Sequence, residues 1–407
     1  MRNAAVLFAG DFCPINRTEK SALNGKPDVV FGDVLAELRN KDLSIVNLEC
    51  PLTRTRTKSP LPKIVPNLRA DPKVVECIKV ACFDVVNLAN NHIVDQGPSG
   101  LDETIRLLQS NRIGYVGAGS SVSVAQKPLK VNCNGISMTF LAFAENEFNS
   151  ADDKQPGSWP LEPAANISQI KRAETSSDVV IVLVHGGNEY NPVPSPRIVK
   201  TYRAFVDAGA SAVIATHPHV PQGYEVLNGA PIFYSLGNFV FDRPQREIPS
   251  PLWSKSYMVR LRFQSNTVEG IDIIPYKTST QTGCLTLLKG REHDEFMQYL
   301  DFLSGILRDE GEIEKYWHGW CALRGPGYFR QLSLCSPLGF VYSSFPACVN
   351  SVGMKCLLMT RNLVTCEAHH EILSTYLDLV RKKQVGAASE YLPVIRSLQK
   401  GKVPSSN

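Results

Sequence analysis

"FDVVNLANNHIVDQG", residues 83–97, decides how this chain is read. A short β-branched run leads into two asparagines, Asn90 and Asn91, then His92, with Asp95 three residues on. Asn and Asp are poor strand formers, and a histidine carried inward by an apolar run needs a polar partner. The stretch therefore reads as a buried strand that ends in a gathered set of polar groups. Asn90 suits the turn, and Asp95 either orients His92 or caps the helix that follows.

The same pattern recurs outward from it. "AAVLFAGD" (4–11), "LSIVNLE" (43–49), "DVVIVLVHGG" (178–187), "ASAVIATHPH" (210–219) and "APIFYSLGN" (230–238) are near-continuous apolar runs that end in polar residues. Continuous rather than alternating apolarity marks strands covered on both faces. Between them lie helical patterns. "DPKVVECIKVA" opens with Asp71 as N-cap and Pro72 at the first helical position, and "SPRIVKTYRAFVDAGA" opens the same way with Ser195 and Pro196. "PSGLDETIRLLQSNRIG" places Leu101, Ile105 and Leu108 on one face. Strands alternating with helices predict a layered α/β domain.

Asp11, Glu49, Asn91, His185 and His217 each fall at the carboxyl end of such a strand, and His219 follows His217 by two. Ligand crevices in α/β sheets lie outside those ends. A single polar residue there is ordinarily a cap or turn former. Five or six strand ends that all finish in Asp, Glu, Asn or His form a donor set for hard or borderline divalent ions. A shared carboxylate can bridge two such ions about 3.5–4 Å apart.

The totals set bounds. The 407 residues allow one large domain or two, and a formal charge of +4 gives no case for nucleic acid. No apolar run is long enough for a membrane span, and "MRNAAVLFAGDF" reads as a first strand rather than a leader. The 11 cysteines have no CxxC pair, which fits a reducing cytoplasm and buried thiols.

"GDFCP", "NLECPLT", "LANNHIVDQG", "HGGNEY", "THPHVPQGYE" and "IFYSLGNFVFD", in that order, resemble the CapA family of capsule and poly-gamma-glutamate synthesis proteins. That family in turn resembles the calcineurin-like metallophosphoesterases. The resemblance implies a four-layer αββα sandwich with mixed sheets over residues 1–284. Residues 285–407, which match nothing familiar, form a mainly helical C-terminal subdomain in this reading. It further implies one or two divalent ions (Mn, Fe or Zn). Asp11 and His219 would hold the first, Glu49 would bridge, and Asn91, His185 and His217 would hold the second. His92 would protonate a leaving group, with Asp95 behind it. Two functions follow: a hydrolase of a phosphoester or gamma-glutamyl amide, or a non-catalytic accessory protein that binds a polyanion.

Three departures qualify the match. Cys13 stands where phosphoesterases carry a histidine, and is read as a buried thiol rather than a ligand. Gly186 stands where tryptophan is usual, which should widen that place. The usual relative looks anchored by an N-terminal helix, whereas this chain begins at its first strand. "TRTRTKSPLPKIVPNLRAD" (53–71) is a basic loop. Arg54, Arg56 and Lys58 read as solvated, while Lys63 and Arg69 match positions that are basic in relatives and could clamp an anion. Glu189 and Tyr190 are further candidate substrate contacts. "GAGSS" (117–121) reads as a turn. Cys335, Cys348, Cys356, Cys366, His369 and His370 are zinc-ligand types, but without a knuckle pair they read as packing residues.

Overall fold

The computed structural model describes residues 2–56, 63, 66–243, 247–344 and 351–404. The apolar runs become strands of two mixed sheets. The first sheet orders Leu285–Leu287, Thr267–Thr278, Lys255–Gln264, Asn3–Cys13, Leu43–Leu48, Val85–Asn87 and Gly114–Val116, with Asn238–Phe241 added alongside the strand Asn3–Cys13. The second orders Tyr224–Leu227, Ala230–Phe233, Ala212–Thr216, Val179–His185, Ile136–Ala144 and Leu129–Cys133. Within the first sheet Asn3–Cys13, Leu43–Leu48, Val85–Asn87 and Gly114–Val116 run parallel. In the second, Val179–His185 is flanked by two parallel neighbours.

Three apolar clusters hold these layers. Phe8, Ile45, Phe140, Ile181, Ile214 and Val259 fill the space between the sheets. Leu7, Val46 and Val86 point the other way, onto Leu38, Ile78 and Leu108 of the outer helices. Val182, Phe205 and Tyr202 lie on the outer face of the second sheet. Strands buried on both faces need apolar residues at every position, which is why the sequence runs lack alternation. Asp71 accepts from Lys73 N at 2.9 Å and Ser195 from Ile198 N at 3.3 Å, so both expected caps form. The 97–110 helix starts at Gly97 with Gln96 as N-cap, so Asp95 does not cap it.

The expected boundary at residue 284 does not mark a break in packing. Leu285–Leu287 extends the first sheet, and Phe296 and Leu300 of helix Arg291–Ile306 enter the cluster between the sheets. Beyond them, Trp317 and Trp320 of helix Glu310–Ser344, Leu379 of helix Glu367–Arg381 and Ile395 join the outer cluster of the second sheet. The helical C-terminal region is therefore a further layer on that side. Helix Glu310–Ser344 runs through Pro326 and Pro337, and a second helix spans Ser351–Thr365. Lys58 and Cys348 lie outside the described residues, and the side chain of Cys335 outside those described.

Gly10 sets how closely strand Asn3–Cys13 approaches the chain entering Asn238–Phe241. The pairing of Asn3–Cys13 with Leu43–Leu48 slips between Ala9 and Asp11, a bulge that re-aims Asp11. A Cβ at Gly10 would lie 1.8 Å from the carbonyl oxygen of Gly237. Backbone cannot retreat as a side chain can, so Gly10→Ala should destabilise the fold by ~1–3 kcal/mol. A denaturant midpoint equal to that of the native chain would contradict this.

Candidate metal centre

The carboxyl ends of both sheets meet, and six of the expected residues meet with them. Asp11 comes from the bulged strand, Glu49 just after Leu43–Leu48, and Asn91 from the turn after Val85–Asn87. His185 ends its strand, and His217 and His219 follow Ala212–Thr216. His219 lies 3.3 Å from Asp11 Oδ2 through Nδ1 and 3.5 Å from Glu49 Oε1 through Nε2. His185 Nε2 lies 3.1 Å from Asn91 Oδ1, 3.1 Å from His217 Nδ1 and 3.8 Å from Glu49 Oε1. His217 and His219 both adopt the left-handed backbone, at φ 102° and 57°, which for non-glycine residues is seldom held without cause. The strain turns two imidazoles of one His-Pro-His turn to the same spot.

Glu49 carries the test of whether an ion fits. Its side chain is fully buried, and neither Oε1 nor Oε2 has a hydrogen-bond partner. Burial, then Asp11 and Glu189, pushes its pKa well above the ordinary 4.5. A buried carboxylate left unpaired among imidazoles is costly unless a cation completes it. Asp11, Glu49 and His219 offer ligand atoms all within 4.8 Å of one another. The donor set of carboxylates, imidazoles and an amide fits a divalent ion. Asp11 differs from Glu49. Although burial works upward, the His219 hydrogen bond and the His185 charge hold its carboxyl below the usual range.

A relay behind the centre fixes Asp11. Asn47 Nδ2 donates to Asp11 Oδ1 at 2.7 Å, and Asn87 Nδ2 donates to Asn47 Oδ1 at 3.0 Å. Neither asparagine figured among the expected residues, although a polar residue inside "SIVNL" or "VVNL" was the available signal. Asn90 performs the turn role, with Nδ2 donating to Leu48 O at 2.8 Å and Oδ1 accepting from His92 N at 3.1 Å.

His92 stands beside the ligand set. Its Nδ1 lies 2.7 Å from Asp95 Oδ2, and Asp95 also pairs with Lys63 and accepts from Leu68 N at 2.6 Å. Asp95 thus orients His92. Lys63, expected at the substrate, is instead buried against Asp95, with Nζ 3.0 Å from His92 Nδ1. Burial, then the Lys63 charge, lowers the pKa of His92, with Asp95 opposing. Arg69 is half-buried and donates to Thr53 O at 3.3 Å. Arg54 pairs with Asp71 at 3.2 Å on the surface, and Arg56 is exposed.

Glu189 and Tyr190 do border the centre. Tyr190 packs its ring 6.4 Å from that of His219. His219 and His217, against burial, hold Glu189 below its ordinary value. Arg243, one residue past "NFVFD", lies 4.3 Å over the Trp253 ring and acts electrostatically on Glu49 and Tyr190. No pattern of residues singled it out beforehand. Cys13 is buried beside Cys50, as a packed thiol should be, and burial raises its pKa.

Gly186 corrects an expectation. The place is not wide, because Glu145 fills it, and a Cβ there would lie 2.8 Å from Glu145 Cγ. Glu145 accepts from Gly187 N at 3.0 Å and is paired with Arg197 at 2.5 Å, so it cannot swing away freely. Gly186→Ala should cost ~1–3 kcal/mol through this crowding. A thermal-melt comparison that finds no loss would contradict it.

Beside the centre lies a cavity of about 480 Å³, lined by Glu147, Glu189, Arg324, Tyr328, Arg330 and His369 among others. Its outer wall is the C-terminal helical layer.

A mixed two-sheet α/β fold whose converging strand ends carry Asp, Glu, Asn and three His defines a class of protein with a donor set for divalent ions. The chain matches the family described as bacterial capsule synthesis protein PGA_cap over residues 5–243, and it belongs to that family. It is 35% identical over 259 residues to the capsule biosynthesis protein CapA of Bacillus anthracis, covering 61% of each chain. It is likewise 35% identical over 239 residues to the PGA biosynthesis protein CapA of Bacillus subtilis, covering 58% of this chain and 63% of that one. A probable polyglutamine synthesis accessory protein of Mycobacterium tuberculosis is 26% identical over 227 residues, or 52% of this chain and 59% of its own. These matches span roughly three-fifths of the relatives' lengths. A 5'-nucleotidase precursor of Thermus thermophilus overlays 67% of this chain and 54% of its own, with 12% identity and a TM-score of 0.40. Among the described residues no helix is long and apolar enough to cross a membrane.

Proposed function

We propose that this chain is a divalent-metal-dependent hydrolase acting on an anionic substrate of capsule or poly-gamma-glutamate metabolism, at a phosphoester or a gamma-glutamyl amide. The observation that carries the reading is Glu49, whose two buried, unpartnered oxygens lie among Asp11 and the histidines. Asp11, Glu49 and His219 would hold one ion, and Glu49, Asn91, His185 and His217 a second, with Mn, Fe or Zn all compatible with the donors. Ions so bound supply Lewis acidity, which acidifies water and stabilises developing oxyanion charge.

The chain's own residues supply the rest. Asp95 holds the His92 ring through Nδ1, which leaves Nε2 to pass a proton to the leaving group. Lys63 neutralises Asp95 and keeps that carboxylate in place. Arg243, Tyr190 and Glu189 border the approach, where Arg243 would meet a substrate phosphate or carboxylate. The nine cysteines whose side chains are described are free, which supports work in a reducing compartment such as the cytoplasm.

One observation favours the accessory reading, in which an ion holds a polyanion without turnover. Cys13 replaces a first-site ligand and is turned into packing beside Cys50. The two readings separate on a substrate panel. The Mn- or Zn-loaded full chain should hydrolyse at least one class among phosphomonoesters, phosphodiesters and gamma-glutamyl peptides. Inertness on all three, with binding of poly-gamma-glutamate retained, would replace the hydrolase reading by the accessory one.

A further inference from the structure

Cys366 and His369 sit at the start of helix Glu367–Arg381, Cys366 as its N-cap and His369 in its first turn. Residues three apart at a helix start project to one side. There they meet Glu147, from the loop after strand Ile136–Ala144, more than two hundred residues away in sequence. Their ligand atoms all lie within 4.8 Å of one another. Glu147 Oε1 is 3.5 Å from His369 Nε2 and 4.0 Å from Cys366 Sγ. The first is long for a hydrogen bond to nitrogen, and the second sits at the limit for a thiol. Bonds of about 2.0–2.3 Å around a tetrahedral ion place its donors about 3.3–3.6 Å apart, a range that holds the Glu147–His369 separation and that a small inward turn of the Cys366 side chain would reach.

The surroundings present the three donors. Asn91 Nδ2 donates to Glu147 Oε2, which leaves Oε1 for the shared spot. Tyr328 Oη lies 2.8 Å from His369 Nδ1, fixing the ring with Nε2 inward, as the outer partner of a ligating histidine does. Asn362 Oδ1, buried and without a hydrogen-bond partner, lines the same cavity as Glu147 and His369. The helix start is also tied to the core: Asn146 N and Nδ2 donate to Glu367 at 2.9 and 2.7 Å, and Asn188 Nδ2 donates to Ala368 O at 2.8 Å. The donors are thus held before any ion arrives.

We propose that Glu147, Cys366 and His369 form a separate thiolate-containing site for a zinc-class divalent ion, with its fourth position open to the cavity. Such an ion would pin the C-terminal helical layer to the loop that positions Asn91. It would also place a positive charge in the wall of the cavity, where an anionic group could reach it. The site shares no ligand with the Asp11–Glu49 cluster, so it stands or falls independently of the hydrolase reading.

Cobalt(II) tests it, because a thiolate ligand gives an intense near-ultraviolet charge-transfer band that carboxylates and imidazoles do not. The native full chain, cobalt-loaded, should show the band. Cys366→Ser and His369→Ala should each lose it together with about one ion per chain by elemental analysis. Glu49→Gln and Cys13→Ser should keep it. Hydrogen exchange in residues 367–381 should rise in Cys366→Ser. If Cys366→Ser does not fold, His369→Ala decides alone. A native spectrum without the band, a band that survives loss of His369, or one that vanishes in Cys13→Ser would overturn the proposal.

Discussion

Glu49→Gln is expected to strip the strand-end centre of its ions while making the metal-free chain more stable. Both halves follow from one carboxylate. Glu49 is the group that both ion positions would share, and glutamine keeps its shape while removing the charge that bridges. Elemental analysis after loading with Mn or Zn should find the ions of this centre gone. Without metal, the native carboxyl is buried with neither oxygen paired, beside Asp11, and that is a cost to the fold. Replacing this group by a neutral amide, which need not take up a proton on folding, should recover ~1–3 kcal/mol at neutral pH.

The pH dependence has a definite sign. The folded pKa of Glu49 lies above the ordinary 4.5. Below that value the carboxyl is protonated in folded and unfolded chain alike, so it contributes no difference. As pH rises past 4.5, the unfolded chain releases the proton while the folded chain keeps it, and this group's contribution to stability falls. The advantage of Glu49→Gln should therefore widen from about pH 5 to about pH 8, measured by denaturant unfolding in chelator. An advantage that is absent, or that shrinks over that range, would mean that Glu49 is paired in the metal-free fold.

The second large effect is on turnover. His92→Ala should lower kcat by ~10²–10⁴-fold and leave ion content unchanged, because His92 lies beside the ligand set but outside it. Burial and Lys63 hold the His92 pKa below its ordinary 6.5. Its acid form is therefore populated on the acidic side, and kcat of the native chain should decline as pH climbs from about 6 to about 8. That decline should be missing in His92→Ala. If His92→Ala loses its ions as well, His92 is a ligand. If it keeps full activity, the leaving group takes its proton elsewhere.

Much of this centre could be read before any coordinates. Strands covered on both faces leave a continuous apolar run, so a polar residue that ends one stands out, and Asp11, Glu49, Asn91, His185 and His217 were visible in that way, with His219 two residues past His217. What sequence could not show was which loop would return to the centre. Glu147 follows the apolar run of strand Ile136–Ala144, a strand end not singled out from sequence, and its partners Cys366 and His369 lie in a helical layer that resembles nothing familiar. Cys366 and His369 were seen only among cysteines and histidines that lacked a knuckle spacing, because the third donor comes from elsewhere in the chain. Lys63 shows the reverse error. A basic residue in a loop near a site suggests an anion clamp, but here a buried Asp95 takes the charge. The boundary at 284 is invisible in the packing for a related reason: the strand and helix after it carry apolar faces that fit the sandwich, and only packing reveals which body they cover. Gly186 was misjudged because a missing side chain looks like space until a neighbour such as Glu145 is seen to occupy it.

Anomalous diffraction at the metal edge, from crystals of the zinc- or manganese-loaded full chain, tests the central claim most directly. The account predicts peaks at coordination distance, about 2.0–2.2 Å, from Glu49, one beside Asp11 and His219 and a second beside Asn91, His185 and His217. A loaded crystal with no peak at Glu49, and with Glu49 instead hydrogen-bonded to ordered water, would show that the converging strand ends do not form a metal centre.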